Sequence, residues 1–385
     1  MDPMKRLAAL LVLLLTAGVL GFTVVAQNME RRLKDKGAQA VSRVRSLASH
    51  GGDPSAILAV MQQVKPALDA RDPKKAEALL DRALNMLDEA TKIPANDSPL
   101  PVYARMEEES DLYVRPEPVV ISGYEGSAME PFISPDGHYL FFNNENDPNV
   151  NTNLHFADRL GKLSFRYLGE LPGVNSPVLD AAPSMDAAGH FYFTTVRDYD
   201  RTMNSIYTGD FDGKVVKNVH PVPGDISPQT LATINMDVSI SPDGQTLYIS
   251  RAVIFSPASG PKKSDLMVAR LKDGSFSIDP DSDRVMKNIN TEALEYAPSI
   301  SADGLELYFT RASQLMAGPA APGARLRIMV ATRASASDPF GEPRALKTLS
   351  GFVEAPSISF DGKEMFFHKK VGQNFVIFRA ERHTK

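Results

Sequence analysis

The stretch Glu295–Thr310, EYAPSISADGLELYFT, and its near copy Glu354–His368, EAPSISFDGKEMFFH, decide the fold of this chain. Each combines an acidic residue, a short apolar and serine run, an Asp-Gly turn and an aromatic run that alternates polar with apolar residues. Sliding the pattern along the chain gives five copies, whose turn glycines are Gly137, Gly189, Gly244, Gly304 and Gly362. The spacing of roughly 50 to 60 residues is that of a repeat architecture.

Every copy predicts two short strands joined by a tight turn. A third strand follows, as in LRIMVATR (Leu326–Arg333), and a weaker fourth is visible in EPRALKTL before Ser350. Four antiparallel strands per copy predict an all-β, five-bladed β-propeller of four-stranded blades. The last copy stops after its third strand. We therefore expect the propeller to occupy residues 113–385 and residues 113–124 to close it by pairing with the last blade.

The five copies resemble the TolB-type (WD40-like) β-propeller repeat, in which an acidic residue, Pro-Ser-aliphatic-Ser, Pro-Asp-Gly and an aromatic strand follow one another. The resemblance spans roughly residues 113 to 382. It implies a periplasmic propeller that serves as a binding platform. The chain departs from TolB itself, for which six blades and an α/β amino-terminal domain are expected.

The amino terminus reads as an export signal. Lys5 and Arg6 precede an apolar run over residues 7–26, and the small residues Val24 and Ala26 favour cleavage before Gln27. The run also approaches the length that spans a bilayer, so an uncleaved membrane anchor is the alternative. Residues 1–26 are predicted to be a signal peptide or membrane anchor, and the remainder to be periplasmic or secreted.

Residues 27–93 carry helical periodicity. Asp53-Pro54 and Asp72-Pro73 are cap-and-first-turn pairs, each followed by apolar residues at helical spacing. They predict an αα-hairpin that acts as a spacer or docking element. Residues 94–112, which contain PANDSPLP, are predicted to be a linker.

The composition of the chain argues against several classes of partner and catalytic site. A net charge of -5 and the absence of a basic cluster argue against a nucleic-acid partner. The chain has no cysteine, which excludes disulfides and thiolate zinc sites. Its seven histidines are far apart in sequence, and neither a nucleophile motif nor a phosphate-binding loop occurs. We predict no cofactor, no metal and no catalytic residue.

One acidic residue heads the first strand of each copy. Because first strands line a propeller channel, we expect these residues to form a ring at the channel mouth that could hold a cation, a cationic group or sugar hydroxyls. The alternative is architectural, with at least three of the five bonded to amides of a neighbouring blade. The predicted ligand-binding residues are Glu130, Asp180, Asp237, Glu295 and Glu354.

Two functions follow from this reading. The first is an exported, non-enzymatic binding protein of the bacterial envelope, a monomer whose partner is an envelope protein or a polar or saccharide ligand. The second is a glycoside hydrolase-like five-bladed propeller, an analogy of fold alone. Glycosidases need two carboxyl groups in unlike surroundings. Because the five sequence contexts are alike and tryptophan is absent, the pattern favours binding.

Overall fold

The computed structural model describes residues 55–70, 72–92, 109–145, 151–230, 233–254, 261–313 and 325–383, with individual helical positions between 29 and 44. The chain divides into two compact units, residues 1–105 and 106–385. The predicted signal or anchor segment and most of the predicted linker lie outside the described residues. Within those ranges, no helix has both the length and the apolar character needed to cross a membrane.

The first unit is helical. Its helices are α1 (Ser55–Met61), α2 (Val64–Asp69) and α3 (Pro73–Lys92). The periodicity predicted α1 and α2 as one helix, but the chain breaks between them and each packs on α3. Asp72 accepts the backbone N–H of Lys75 at 3.0 Å and so caps α3 as the sequence predicts. The predicted Asp53-Pro54 cap lies outside the described residues.

Residues that precede the helical hairpin also contribute to the apolar core of this unit. Leu33, Ala40 and Val44 are buried against the apolar face of α1, α2 and α3. Lys36 donates to Glu77 and Asp81 of α3, each at 2.9 Å, and these two carboxylates raise its pKa. The hairpin is therefore covered by a further helical segment.

The second unit is built from β-strands grouped in five repeats. Repeat 1 contains β4 (Met129–Ile133), β5 (Tyr139–Asn143), β6 (Leu154–Arg159) and β7 (Ser164–Glu170). Repeat 2 contains β8 (Asp180–Met185), β9 (His190–Thr195), β10 (Ile206–Phe211) and β11 (Val216–Pro221). Repeat 3 contains β13 (Thr233–Ile240), β14 (Thr246–Ile254), β15 (Pro261–Lys272) and β16 (Ser275–Ile278).

The remaining two repeats complete the pattern. Repeat 4 contains β17 (Leu294–Ile300), β18 (Glu306–Ser313), β19 (Arg325–Thr332) and β20 (Arg344–Leu346). Repeat 5 contains β21 (Val353–Ile358), β22 (Glu364–Val371) and β23 (Asn374–Arg382), with β2 (Tyr113–Pro118) antiparallel to β23. Three short strands pair in parallel outside this pattern, namely β1 (Glu109–Ser110), β3 (Val120–Ser122) and β12 (Gly224–Asp225). Short helices α4 (Tyr199–Thr202) and α5 (Ser282–Met286) lie in connections.

The segment that leads into repeat 1 joins the first and last repeats. Tyr113 is fully buried and donates its hydroxyl to the carbonyl of Gly362 at 2.7 Å. We expected all of residues 113–124 to pair with the last blade, but β3 pairs instead with β7 of repeat 1. The segment divides in this way because the backbone passes from one sheet edge to the next between Pro118 and Val120, where the Val119 N–H still bonds to Ile377 O at 2.8 Å.

Apolar clusters lie between successive repeats. Phe141 packs with Phe191 between repeats 1 and 2, and the same arrangement recurs at the following boundaries. Phe142 and Phe366 belong to a cluster that joins repeat 5 to repeat 1. Alternate residues of each second strand therefore face opposite neighbours, which explains the near-continuous aromatic run in the sequence.

The Asp-Gly turns are structural. In repeat 4, Asp303 accepts the N–H of Leu305 at 3.0 Å and the hydroxyl of Ser301 at 2.6 Å. Gly304 has φ of 71°, a conformation that favours glycine. The aspartates of these turns thus bond their own backbone, as the structural interpretation of the motif predicts.

Candidate functional site

The first strands of the five repeats surround a central cavity. β4, β8, β13, β17 and β21 contact one another in that order, and β21 contacts β4. The cavity has a volume of about 40 Å³ and is lined by residues of all five strands, among them Glu130 and Asp237. This volume holds a few water molecules, and a sugar ring does not fit.

A β-bulge interrupts every first strand. In repeat 4, Ala297 and Pro298 together oppose Phe309, and Ala297 has φ of 50°. The bulge residue adopts a left-handed conformation, and the proline after it has no N–H to donate to the neighbouring strand. Four repeats share this residue-proline pair, with positive φ at Glu130, Ala182, Ala297 and Ala355. Repeat 3 has Val238 in place of proline and no positive φ in its first strand.

The five acidic residues that the sequence analysis placed at one equivalent position stand at three different positions of their repeats. Glu130 and Asp237 stand seven residues before the turn glycine of their own repeat, Glu354 stands eight residues before it, and Asp180 and Glu295 stand nine residues before it. The expectation of one equivalent position is therefore wrong. The offsets can be counted in the sequence, and the bulge adds to their effect because it interrupts the alternation of side chains along the strand.

Asp180 and Glu295 form hydrogen bonds to the connections that precede their strands. Asp180 is fully buried, pairs with Arg197 at 2.7 Å and accepts the hydroxyl of Ser176 at 2.7 Å. Glu295 is equally buried, pairs with Arg311 at 2.8 Å, and accepts the hydroxyl of Thr291 at 2.6 Å. Burial raises the pKa of the Glu295 carboxyl, against the opposing effects of Thr291 and Arg311.

In repeat 3 a neutral asparagine replaces the buried carboxylate as the partner of the arginine. Asn235 stands at the corresponding position and accepts from Arg251 Nε at 3.0 Å. The guanidinium also donates to the Ile226 carbonyl at 2.6 Å, as Arg311 does to Ile289 at 2.8 Å. The arginines at the ends of these second strands thus have a structural role in the connections.

Glu130 and Asp237 bond across repeat boundaries. Glu130 Oε2 accepts the N–H of Ala182 at 3.0 Å, and Asp237 Oδ2 accepts the N–H of Ala297 at 3.1 Å. These N–H groups belong to the bulge residues of the following repeats. Two of the five acids therefore bond an amide of a neighbouring repeat, fewer than the three that we expected.

Glu354 has side-chain partners instead. Tyr296 of repeat 4 donates its hydroxyl to Glu354 Oε1. His368 Nε2 lies 3.1 Å from Glu354 Oε2, and the imidazole is almost completely buried. Tyr296 also lies within electrostatic reach of Asp237 and Glu130. Glu130, Asp237, Glu354, Tyr296 and His368 form what we call the central cluster.

Burial sets the acid-base properties of the central cluster. It raises the pKa of the Asp237 carboxyl to about 6, and the negative charge of Glu354 adds to the increase. Burial and the neighbouring carboxylates also raise the pKa of the Tyr296 hydroxyl well above its usual value. The Tyr296 hydroxyl therefore keeps its proton at neutral pH and donates it to Glu354 across the boundary between repeats 4 and 5.

The sequence analysis missed Tyr296 and His368 as members of a site. A signal was present, because His368 stands six residues after Gly362, where the other copies place Asn143, Thr195, Ser250 and Thr310. Polar residues in an otherwise aromatic strand mark positions that can accept a bulge amide, as Thr310 does from the Ala355 N–H at 3.0 Å. Within the described ranges, no three His, Asp or Glu side chains are placed to hold a metal ion.

No protein-family model matches this chain, and no curated protein matches it. Among solved structures, TolB from Acinetobacter baumannii is 15% identical with a TM-score of 0.36; the match covers 68% of this chain and 55% of that one. This chain therefore spans about half the length of the TolB structure it matches.

Carbohydrate-active enzymes match as well. The endo-arabinase of Bacteroides thetaiotaomicron is 16% identical with a TM-score of 0.44, and the match covers 70% of this chain and 98% of that one. A family 117 glycoside hydrolase of Zobellia galactanivorans is 11% identical with a TM-score of 0.44, over 71% and 91% of the two chains. The likeness to TolB agrees with the prediction from the repeats. At these TM-scores, none of the three structures assigns an activity, a partner or a blade count to this chain.

Proposed function

We propose that residues 106–385 form a closed five-bladed propeller that acts as a non-enzymatic binding protein. The cyclic contacts of the five first strands and the apolar cluster between repeats 5 and 1 support closure. The β2 strand supports it further, because it covers the edge that β23 would otherwise expose.

The central cluster is the observation that carries the non-enzymatic role. Asp237 bonds a backbone amide, and Glu354 bonds Tyr296 and His368, beside a cavity of about 40 Å³. Glycoside hydrolysis needs two carboxyl groups that flank a sugar and a water molecule. The cavity has room for the water and not for the sugar, so the cluster serves to join the blades.

The binding surface of this proposal is the end of the propeller at which the first strands begin. Its connections are held rigidly: Asn175 bonds both the N–H and the carbonyl of Leu154, at 2.8 and 2.9 Å, and Asn290 does the same with Leu266. Rigid connections lower the entropy lost on binding. Val178 and Glu292 are exposed here beside the buried carboxylates.

Export to the periplasm or the exterior is part of the proposal and rests on residues 1–26. The partner would be an envelope protein or a polar or saccharide ligand, bound by a monomer. Amino-terminal sequencing of the protein from its native host tests export. A chain that starts at Gln27 supports cleavage, a membrane-bound chain that retains residues 1–26 supports the anchor, and a cytosolic chain that starts at Met1 contradicts export.

A glycoside hydrolase is the second candidate, and one observation favours it. The surroundings of Asp237 and Glu354 are unlike, and the pKa of Asp237 is raised to about 6, which suits a general acid. The sequence argument that all five contexts are alike is therefore wrong. Against this candidate stand the small cavity and the amide bond of Asp237.

Both candidates are tested with one set of variants. The wild-type protein, Asp237→Asn and Glu354→Gln are assayed for reducing-sugar release from arabinan, galactan and xylan. Turnover that disappears in either variant would replace the binding proposal with the hydrolase. For binding, retention of envelope components by wild-type protein is compared with Val178→Glu, at the proposed surface, and Lys363→Glu, in an Asp-Gly turn at the other end of the strands. Loss with Val178→Glu alone is expected; equal retention by both variants contradicts this surface.

A further inference from the structure

One position recurs in every repeat at the end of the third strand. Its backbone N–H bonds to the carbonyl that precedes the second strand, and its side chain faces the start of the second strand in the preceding repeat. The five residues are Arg159, Phe211, Leu271, Arg333 and Arg382. We call this the boundary position.

Two of the three arginines at the boundary position are neutralised by glutamate. Arg382 donates to both oxygens of Glu306, each at 2.7 Å, and Arg159 donates to both oxygens of Glu364 at 2.8 and 2.7 Å. Tyr308 completes the first arrangement by donating its hydroxyl to Glu306 at 2.6 Å. Each glutamate is the first residue of a second strand.

The boundary between repeats 3 and 4 lacks this glutamate. Thr246 occupies the position of Glu306, and Tyr248 occupies that of Tyr308. Arg333 is 8% exposed and donates to the Gly304 carbonyl at 2.8 Å and to the Tyr248 hydroxyl at 2.9 Å. Its remaining nitrogen, NH1, is buried without a hydrogen-bond partner among the described residues.

Neighbouring acids do not supply the missing charge. Asp243 acts electrostatically on Tyr248, but its carboxylate accepts from Ser241 Oγ and from the Gln245 N–H. Asp279 pairs with Arg270 at 3.0 Å, and Arg270 NH1 donates to Thr246 Oγ1 at 2.9 Å. Arg333 therefore donates to Tyr248 and Arg270 donates to Thr246, but only Arg270 has a carboxylate partner, Asp279.

Arg333 and Arg382 approach their turn glycines to the same distance. A Cβ built on Gly304 would lie 3.6 Å from an Arg333 nitrogen, and one built on Gly362 would lie 3.6 Å from an Arg382 nitrogen. The guanidinium of Arg333 also lies 4.4 Å from the centre of the Phe340 ring, which holds it in place. A guanidinium remains charged at every accessible pH, and a buried charge without an opposite charge is costly.

We propose that the boundary between repeats 3 and 4 binds a small carboxylate anion, held by Arg333 NH1 and the Tyr248 hydroxyl in the place that the Glu306 carboxylate takes one repeat later. The protein's own boundaries define the ligand, because a carboxylate fills the equivalent position twice. Thr246 carries no carboxylate, and its side chain is shorter than that of glutamate. Bidentate pairing with a planar guanidinium then favours a carboxylate over a spherical anion.

Formate is the probe for this site. Thermal unfolding of the full chain is measured with increasing sodium formate and, in parallel, with equal concentrations of sodium chloride. The melting temperature of the wild-type protein is expected to rise with formate by ~2 to 4 °C and to saturate. Thr246→Glu places the carboxylate within the chain, so its melting temperature starts higher and no longer responds to formate. Thr246→Ser adds no charge and keeps the wild-type response.

A reciprocal variant guards against misfolding of Thr246→Glu. Glu306→Thr converts the next boundary into a copy of this one and is expected to lower the melting temperature and to gain a second formate-dependent increase. Arg333→Met should remove the wild-type response. Equal formate dependence in wild type and Arg333→Met, or a response to chloride as large as that to formate, would overturn the proposal.

Discussion

His368 Nδ1 accepts the backbone N–H of Glu130 at 3.1 Å and so joins the last repeat to the first. Because Nδ1 accepts from an amide, the ring proton resides on Nε2 and is donated to Glu354. A neutral imidazole therefore links the boundary of repeats 5 and 1 to the central cluster. Glu354 is the cross-strand partner of His368 within repeat 5, whereas Glu130 is far from it in sequence.

Replacing this histidine should weaken closure. His368→Ala leaves the Glu130 N–H and the Glu354 carboxylate without this partner, and we expect a loss of about 1 to 3 kcal/mol in the free energy of unfolding. Denaturant unfolding measures it. His220→Ala is the control, because His220 is exposed. Equal stability of the two variants would contradict the role given to His368.

Asp237 should make stability depend on pH. Its pKa is raised from 3.8 to about 6 in the folded protein, so its contribution to stability is fully present below pH 4 and is lost as the pH rises through 6. Asp237→Asn keeps an acceptor for Ala297 and removes this loss. We expect the variant to exceed wild type by roughly 1 to 3 kcal/mol at pH 7.5, with a smaller difference at pH 4.

Thermal or chemical unfolding between pH 4 and 8 checks this prediction. Asp225→Asn, at an exposed position, controls for the change in net charge. A stability difference between Asp237→Asn and wild type that stays constant across the range would show that burial of Asp237 does not govern the effect.

Loss of Arg311 should lower the free energy of unfolding more than loss of the charge on Glu295. Arg311→Met leaves the fully buried Glu295 carboxylate without its cation, for an expected loss of about 3 to 5 kcal/mol. Glu295→Gln keeps an acceptor, and repeat 3 already uses the amide of Asn235 in this place, so we expect about 1 to 2 kcal/mol. Denaturant unfolding of both variants tests the order. A larger loss for Glu295→Gln would contradict it.

The closing strand should be essential to the second unit. Tyr113→Ala removes a fully buried ring, for an expected loss of about 3 to 5 kcal/mol, whereas Tyr113→Phe removes only the bond to Gly362 and should cost about 1 kcal/mol. Deleting residues 113–118 should expose β23 and reduce solubility. Deleting residues 27–93 should leave the second unit folded. Circular dichroism melts distinguish these outcomes, and an unshifted melt after the strand deletion would contradict the arrangement.

Much of the architecture could be predicted because it is local. The Asp-Gly turns, the short strands on either side of them and the Asp72 cap each depend on residues a few positions apart, where sequence spacing determines geometry. The position of the acids could not be predicted in the same way. Glu130 and Glu295 stand at different distances from their turn glycines, which the sequence records, but only the structure shows that one lies at the central cavity and the other against Arg311.

The sequence by itself determined the repeat, its strands and the turn chemistry, since these follow from periodicity and from the conformational preferences of glycine and proline. Only the tertiary structure decided which polar residues meet. Tyr296 reaches Glu354, His368 reaches Glu130, and Arg333 is left without the glutamate that Arg382 has. These relationships cross repeat boundaries, where side-chain direction depends on bulges and on the packing of one sheet against the next, and neither is written in the spacing of residues along the chain.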